Sequence, residues 1–171
     1  MSKMKKDAKE NMPNGHLHEL MLDELKDIFN AEKQLLKGLK LMQSKAKEEA
    51  VRAVFTSHLE ETEQQVEKLK QAFNLLGLPV RGKKCKAMEG LLKEAEEIIS
   101  DFEDTEALDA ALIAAAQKIE HYEIASYGTL ATYAKMMKHD DVAAIFAEIL
   151  EEEKNADEKL TEVAMSHGNK E

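Results

Sequence analysis

The chain has 171 residues, enough for one domain with a sizeable core, and only 7 Gly and 2 Pro. Its formal net charge of −10 argues against simple electrostatic binding to nucleic acid or to an anionic membrane. A single cysteine excludes an internal disulfide framework, and no apolar run approaches the roughly 18 residues of a membrane span.

Ala, Glu, Lys and Leu dominate, and Val and Ile never alternate with polar residues over a strand length, so the sequence predicts an all-α fold. Residues 1–15 lack periodicity, carry Pro13 and Gly15, and read as a flexible tail. They have lysines but no apolar signal-peptide core, which makes the cytoplasm the expected compartment. A bundle domain over 16–167 follows.

Helix A is expected over about 17–45, with the stripe Leu17, Met21, Leu25, Ile28, Leu35, Leu39 and Met42. Helix B spans about 48–76, with Val51, Val54, Phe55, Leu69, Phe73 and Leu76 facing inward. Gly77 and Pro79 end it. A shorter helix covers about 86–102. Helix C begins near Thr105, which has the look of an N-cap, and reaches about 137. "KHDD" turns the chain into helix D, about 141–165.

The A–B and C–D connections are tight, so each pair forms an antiparallel hairpin. The long B–C crossover contains the short fifth helix. One long crossover is the ferritin-like arrangement of a four-helix bundle. An up-down bundle with an added helix is the alternative.

Several polar residues fall where the core should be. At 100° per residue, Glu32 lies at the centre of helix A's stripe, and Glu153 lies among Phe146, Ile149, Ala156 and Leu160 on helix D. Asp157 is one turn further, at the stripe's edge. His58 is central on helix B, with Glu61 and Gln65 beside it. On helix C, Glu123 borders the stripe of Leu112, Ile119 and Leu130, and Glu120 lies about 60° further round. His121 points away, toward the surface or a subunit contact.

Residues equidistant from a tight turn sit at the same height. Glu32 is therefore level with about residue 62, and Glu123 and Glu120 with about residues 155 and 158. The acids of each hairpin thus meet across the core. Buried ionised carboxylates cost several kcal/mol each unless a partner neutralises them, so raised pKa values or a bound cation are expected. Carboxylates with one imidazole suit iron, manganese or zinc better than a thiolate-preferring metal. Carboxylate-bridged two-metal bundles use two Glu-x-x-His motifs. Here helix B reads "HLEE", with His58 before Glu61, and helix D has Ala156 where a second histidine would stand.

The phrases "HLEETEQQ", "RGKKCKAMEGL", "AALIAAAQKIEHYEIASYGTL" and "EEEKNADEKL" resemble the YciE/YciF family of bacterial stress-associated, ferritin-like proteins over residues 17–165. The resemblance implies a homodimeric ferritin-like bundle with two Fe or Mn ions per chain. On the family pattern the metal candidates are Glu32, Glu61, Glu120 or Glu123, Glu153 and Asp157, with His58 nearby. The function expected is chemistry on oxygen or peroxide, or iron binding. A stress-associated scaffold without a working metal centre is the competing reading, and a storage cage a third. Tyr122 and Tyr127 read as packing residues. Cys85, among three lysines, reads as a loop thiol with a neighbourhood that would lower its pKa. Ile113 and Ile124 read as an apolar patch for a dimer contact.

Overall fold

In a computed structural model, which describes residues 14–168, five α-helices form a ferritin-like bundle with one long crossover, and there is no strand among the described residues. They are α1 Gly15–Lys45, α2 Glu49–Leu75, α3 Lys86–Phe102, α4 Leu108–Met136 and α5 Asp140–Val163, followed by a π-helical turn, Ala164–Gly168. Among the described residues no helix is long and apolar enough to cross a membrane. Residues 1–13 of the expected tail lie outside the described residues. Its last two residues belong to the fold: Asn14 caps α1, its side chain accepting from the Leu17 N–H at 3.0 Å, and Gly15 is the first helical residue.

The two hairpins α1–α2 and α4–α5 pack side by side, with α1 against α4 and α2 against α5. The start of α4 lies beside the α1–α2 turn, so α4 runs antiparallel to α1 and the crossover returns along the length of the bundle. Its α3 lies outside, against α1 and α4. Gly77 adopts φ +65 at the end of α2, where the Leu78 N–H reaches back to the Phe73 carbonyl at 2.9 Å. This left-handed closure is open to glycine without a Cβ penalty. The core is aliphatic and aromatic above and below the polar layer, with Phe29 and Phe73 edge to face at 5.3 Å.

Helix C starts at Leu108, not near Thr105. Thr105 closes a turn onto the Phe102 carbonyl instead of capping the helix. The acid that matters here is Asp109. It is buried and its two oxygens accept the backbone N–H groups of Lys47 (2.9 Å) and Glu48 (2.7 Å), at the start of α2. Glu48 makes no side-chain cap of its own helix, so α4 supplies the cap from across the bundle. Ile113 is buried in the core and Ile124 is partly buried, so the two do not form the exposed patch expected of them.

Candidate metal centre

Four helices deliver the polar layer. Glu32 comes from α1, His58 from α2, Glu120 and Glu123 from α4, and Glu153 from α5. Each sits within an apolar stripe of helical period, so folding the stripe inward carries the polar residue with it. All four glutamates are 0% exposed and His58 is 3% exposed. His58, Glu120, Glu123 and Glu153 each offer a ligand atom within 4.8 Å of the others. Glu32 adjoins this group, close enough to Glu123 and Glu153 for their charges to act on one another.

His58 Nδ1 lies 3.0 Å from Glu120 Oε1, and Nε2 lies 3.7 Å from Glu153 Oε2. The Tyr127 hydroxyl, fully buried, donates to Glu32 Oε1. Both oxygens of Glu120, Glu123 and Glu153, Glu32 Oε2 and His58 Nε2 lack a well-directed hydrogen-bond partner among the described residues. Buried polar atoms are nearly always satisfied, so this concentration of orphans in one layer marks it as a candidate cation site.

Burial, reinforced by Glu153, pushes the Glu32 carboxyl up to about 8 against the pull of Tyr127. Burial likewise raises Glu120 to about 8, opposed by the imidazole of His58. Glu123 rises well above the carboxylate range through burial and through Glu32, Glu153 and Glu120. For His58, burial works downward but the carboxylates of Glu120 and Glu153 prevail and raise it well above its ordinary value. Burial thus favours the protonated form of Glu32, Glu120 and Glu123. Oxygen donors with one imidazole, orphaned and buried, fit a hard or borderline divalent cation.

Other expected site residues stand elsewhere. Glu61, about 60° round α2 from His58, faces the seam with α5, where Lys159 Nζ is 3.1 Å away. Asp157 is one turn beyond Glu153, partly exposed, bonded by Gln117 at 3.3 Å and 3.6 Å from His121 Nε2. Neither reaches the central group. His121 is 70% exposed, as its direction on the helix predicts. The choice between Glu120 and Glu123 dissolves, because both point inward. His58 is paired with Glu120 rather than with Glu61 or Gln65; Gln65 Nε2 instead reaches Glu152 at 3.2 Å.

Tyr127 is more than a packing residue, since its hydroxyl is part of the layer. Its signal in the sequence is position: it follows Glu123 by four residues on the same face of α4. Tyr122, half-buried, donates to Asp27 Oδ2 at 3.0 Å and meets Cys85 Sγ at 3.1 Å. The expectations for Cys85 are corrected twice. The thiol is 0% exposed, caps α3 by accepting from the Met88 N–H at 3.4 Å, and has a partner in Tyr122. Its pKa is raised by burial, because the neighbouring lysines point into water while Asp27 lies close.

Residues 16–171 match the family model described as a domain of unknown function (DUF892). The chain is 45% identical over 155 residues to Protein YciF of Escherichia coli K12, across 90% of this chain and 93% of that protein. The crystal structure of the E. coli stress protein YciF superposes with a TM-score of 0.86 at 45% identity, covering 91% of this chain and 98% of that one. YcfI from Rhodopseudomonas palustris superposes with a TM-score of 0.83 at 42% identity, covering 88% and 95% of the two chains.

Proposed function

The chain belongs to the DUF892 family, and from that premise and the buried polar layer we propose that it is a ferritin-like stress-response protein with a two-metal carboxylate centre for iron or manganese. The observation that carries this reading is the set of orphaned carboxylate oxygens and one imidazole nitrogen, all buried and converging from four helices. Charge supports the number of ions. Four ionised glutamates with a neutral imidazole would balance two divalent cations. The relative's description as a stress protein supports the setting.

In this reading Glu32, Glu123 and Glu153 hold the ions with His58, and Glu120 steadies the imidazole. The ions supply Lewis acidity and redox change toward oxygen or peroxide. The protein's part is to present the donors in a dry layer and to release their protons as the ions enter. Tyr127 fixes one oxygen of Glu32, so that the other faces the layer.

Anaerobic loading with Fe(II), followed by elemental analysis, tests the proposal. About two ions per chain are expected, falling below about 0.2 when Glu32→Ala and Glu153→Ala are combined. Uptake that is absent in the wild type, or unchanged in the double variant, overturns it and leaves a bundle without metal chemistry. Consumption of oxygen or peroxide by the loaded protein is the second readout.

A further inference from the structure

The seam between α2 and α5 carries a polar trail that leads from solvent into the bundle. At its outer end Lys68 Nζ lies 2.7 Å from Glu148 Oε1 and also contacts Glu152 Oε1. Glu148 is 62% exposed and Glu152 is 29% exposed. One step further in, Gln65 Nε2 donates to Glu152 Oε2 at 3.2 Å, and Gln65 is only 1% exposed. A carboxylate only accepts, so the amide nitrogen faces Glu152 and the carbonyl oxygen is the other end of the group. That oxygen is buried and has no hydrogen-bond partner among the described residues.

Both helices carry the trail on to the polar layer. Gln65 follows His58 by seven residues, so it stands within about 20° of it on α2, roughly 10 Å along the axis. Glu152 directly precedes Glu153 on α5, and His58 and Glu153 face each other at 3.7 Å.

The charges suit a passing cation. Two carboxylates and one ammonium leave one negative charge at the mouth, and a cleft lined by one sign of charge draws counter-ions. Lys68 is held near solvent, where an ion pair is weak enough to exchange. A divalent cation that displaces its ammonium neutralises both carboxylates. Behind them, the Gln65 carbonyl is a neutral oxygen donor of the kind that hard cations accept. A second ion pair on this seam, Lys159 with Glu61, is backed differently, because the Thr62 hydroxyl next to it is spent on the His58 carbonyl.

Resting on the metal-centre reading above, we propose that divalent cations reach the layer through this seam, with Lys68 as a displaceable plug. Glu148 and Glu152 receive the ion, and Gln65 Oε1 passes it to Glu153. The residues of the route set how fast the centre fills and empties, and leave unchanged how many ions it holds.

The test is the rate of Co(II) uptake by the metal-free full-length protein at low ionic strength, followed anaerobically by visible ligand-field absorption, with the rate of release to a chelator alongside. Lys68→Met is expected to speed both by about threefold or more, since the plug is gone. Glu152→Gln and Gln65→Leu are expected to slow both by about tenfold, with the final number of bound ions as in the wild type. Lys159→Met is expected to leave both rates unchanged. Should Gln65→Leu not fold, Lys68→Met and Glu152→Gln decide. Wild-type rates in Lys68→Met and Glu152→Gln, or an equal acceleration by Lys159→Met, overturn the route while leaving a metal centre in place. A wild type that takes up no Co(II), Mn(II) or Fe(II) overturns the centre itself, and this inference with it.

Discussion

His58 of α2 and Glu120 of α4 meet at 3.0 Å across the diagonal of the bundle, both shut off from solvent. The two helices otherwise make few contacts, so this polar pair spans the centre of the fold. Replacing Glu120 by Gln keeps the shape but weakens the grip on the imidazole. Metal affinity is expected to fall about 10- to 100-fold, with the helical content unchanged. Isothermal titration beside circular dichroism checks both halves. An affinity equal to wild type would show that Glu120 does not orient the ligand.

The metal-free protein should lose stability as pH rises. A carboxyl with a raised folded pKa binds its proton more tightly when folded, so its contribution is greatest at low pH. For Glu32 and Glu120 that contribution is lost between about 4.5 and about 8. His58, also raised, contributes fully below 6.5 and loses that contribution as pH climbs through its higher folded value. All three slopes have the same sign. Melting temperature in a chelator is expected to drop steadily from pH 5 to pH 8.5. Because ligands must shed their protons, the stabilisation by added Mn(II) or Fe(II) is expected to grow over the same range. A flat or rising metal-free profile would contradict the protonated layer.

Asp109→Ala removes the cap that α4 lends to α2 and orphans the Lys47 and Glu48 N–H groups. A loss of about 1–3 kcal/mol is expected in chemical denaturation, with metal affinity unaffected because the residue lies at the end of the bundle. Asp109→Asn is expected to recover part of the loss, since its carbonyl oxygen can still accept.

Cys85 should resist thiol reagents in the native protein. Its sulfur is buried, its pKa is raised, and it is engaged by Tyr122 and the Met88 N–H. Labelling by a disulfide reagent is expected only at the rate of local opening, and at full speed in denaturant. Rapid native labelling would mean that the crossover segment is looser than its packing indicates.

Much of the fold can be read from the sequence because its signals are local. The apolar stripes of 3.6-residue period give the four long helices, Gly77 and Pro79 mark the end of α2, and tight turns give the hairpins. Glu32, His58, Glu120, Glu123 and Glu153 stand out for the same reason, as polar residues on apolar faces. Glu61 and Asp157 sit at stripe edges, where direction alone does not distinguish an inward acid from one that turns into a seam and finds Lys159 or Gln117. The role of Asp109 has no local signature, because it caps a helix some sixty positions earlier in the chain. Tyr127 looks like packing until the hydroxyl's partner on α1 is known. Cys85 looks basic and exposed because charge is visible in "KKCK", whereas the tuck of the crossover against α1 is not.

The orphaned oxygens at mid-height have one more consequence. In most bundles the middle is the last part to open and the ends fray first. Here the middle is where the chain's preferences conflict most, since its apolar neighbours demand closure and its carboxylates resist it. Without an ion this layer is a frustrated seam, and amide hydrogen exchange around Glu123 and Glu153 should be faster than their depth implies. A bound ion would make it a clasp joining four helices, turning a point of conflict in the core into a point of attachment.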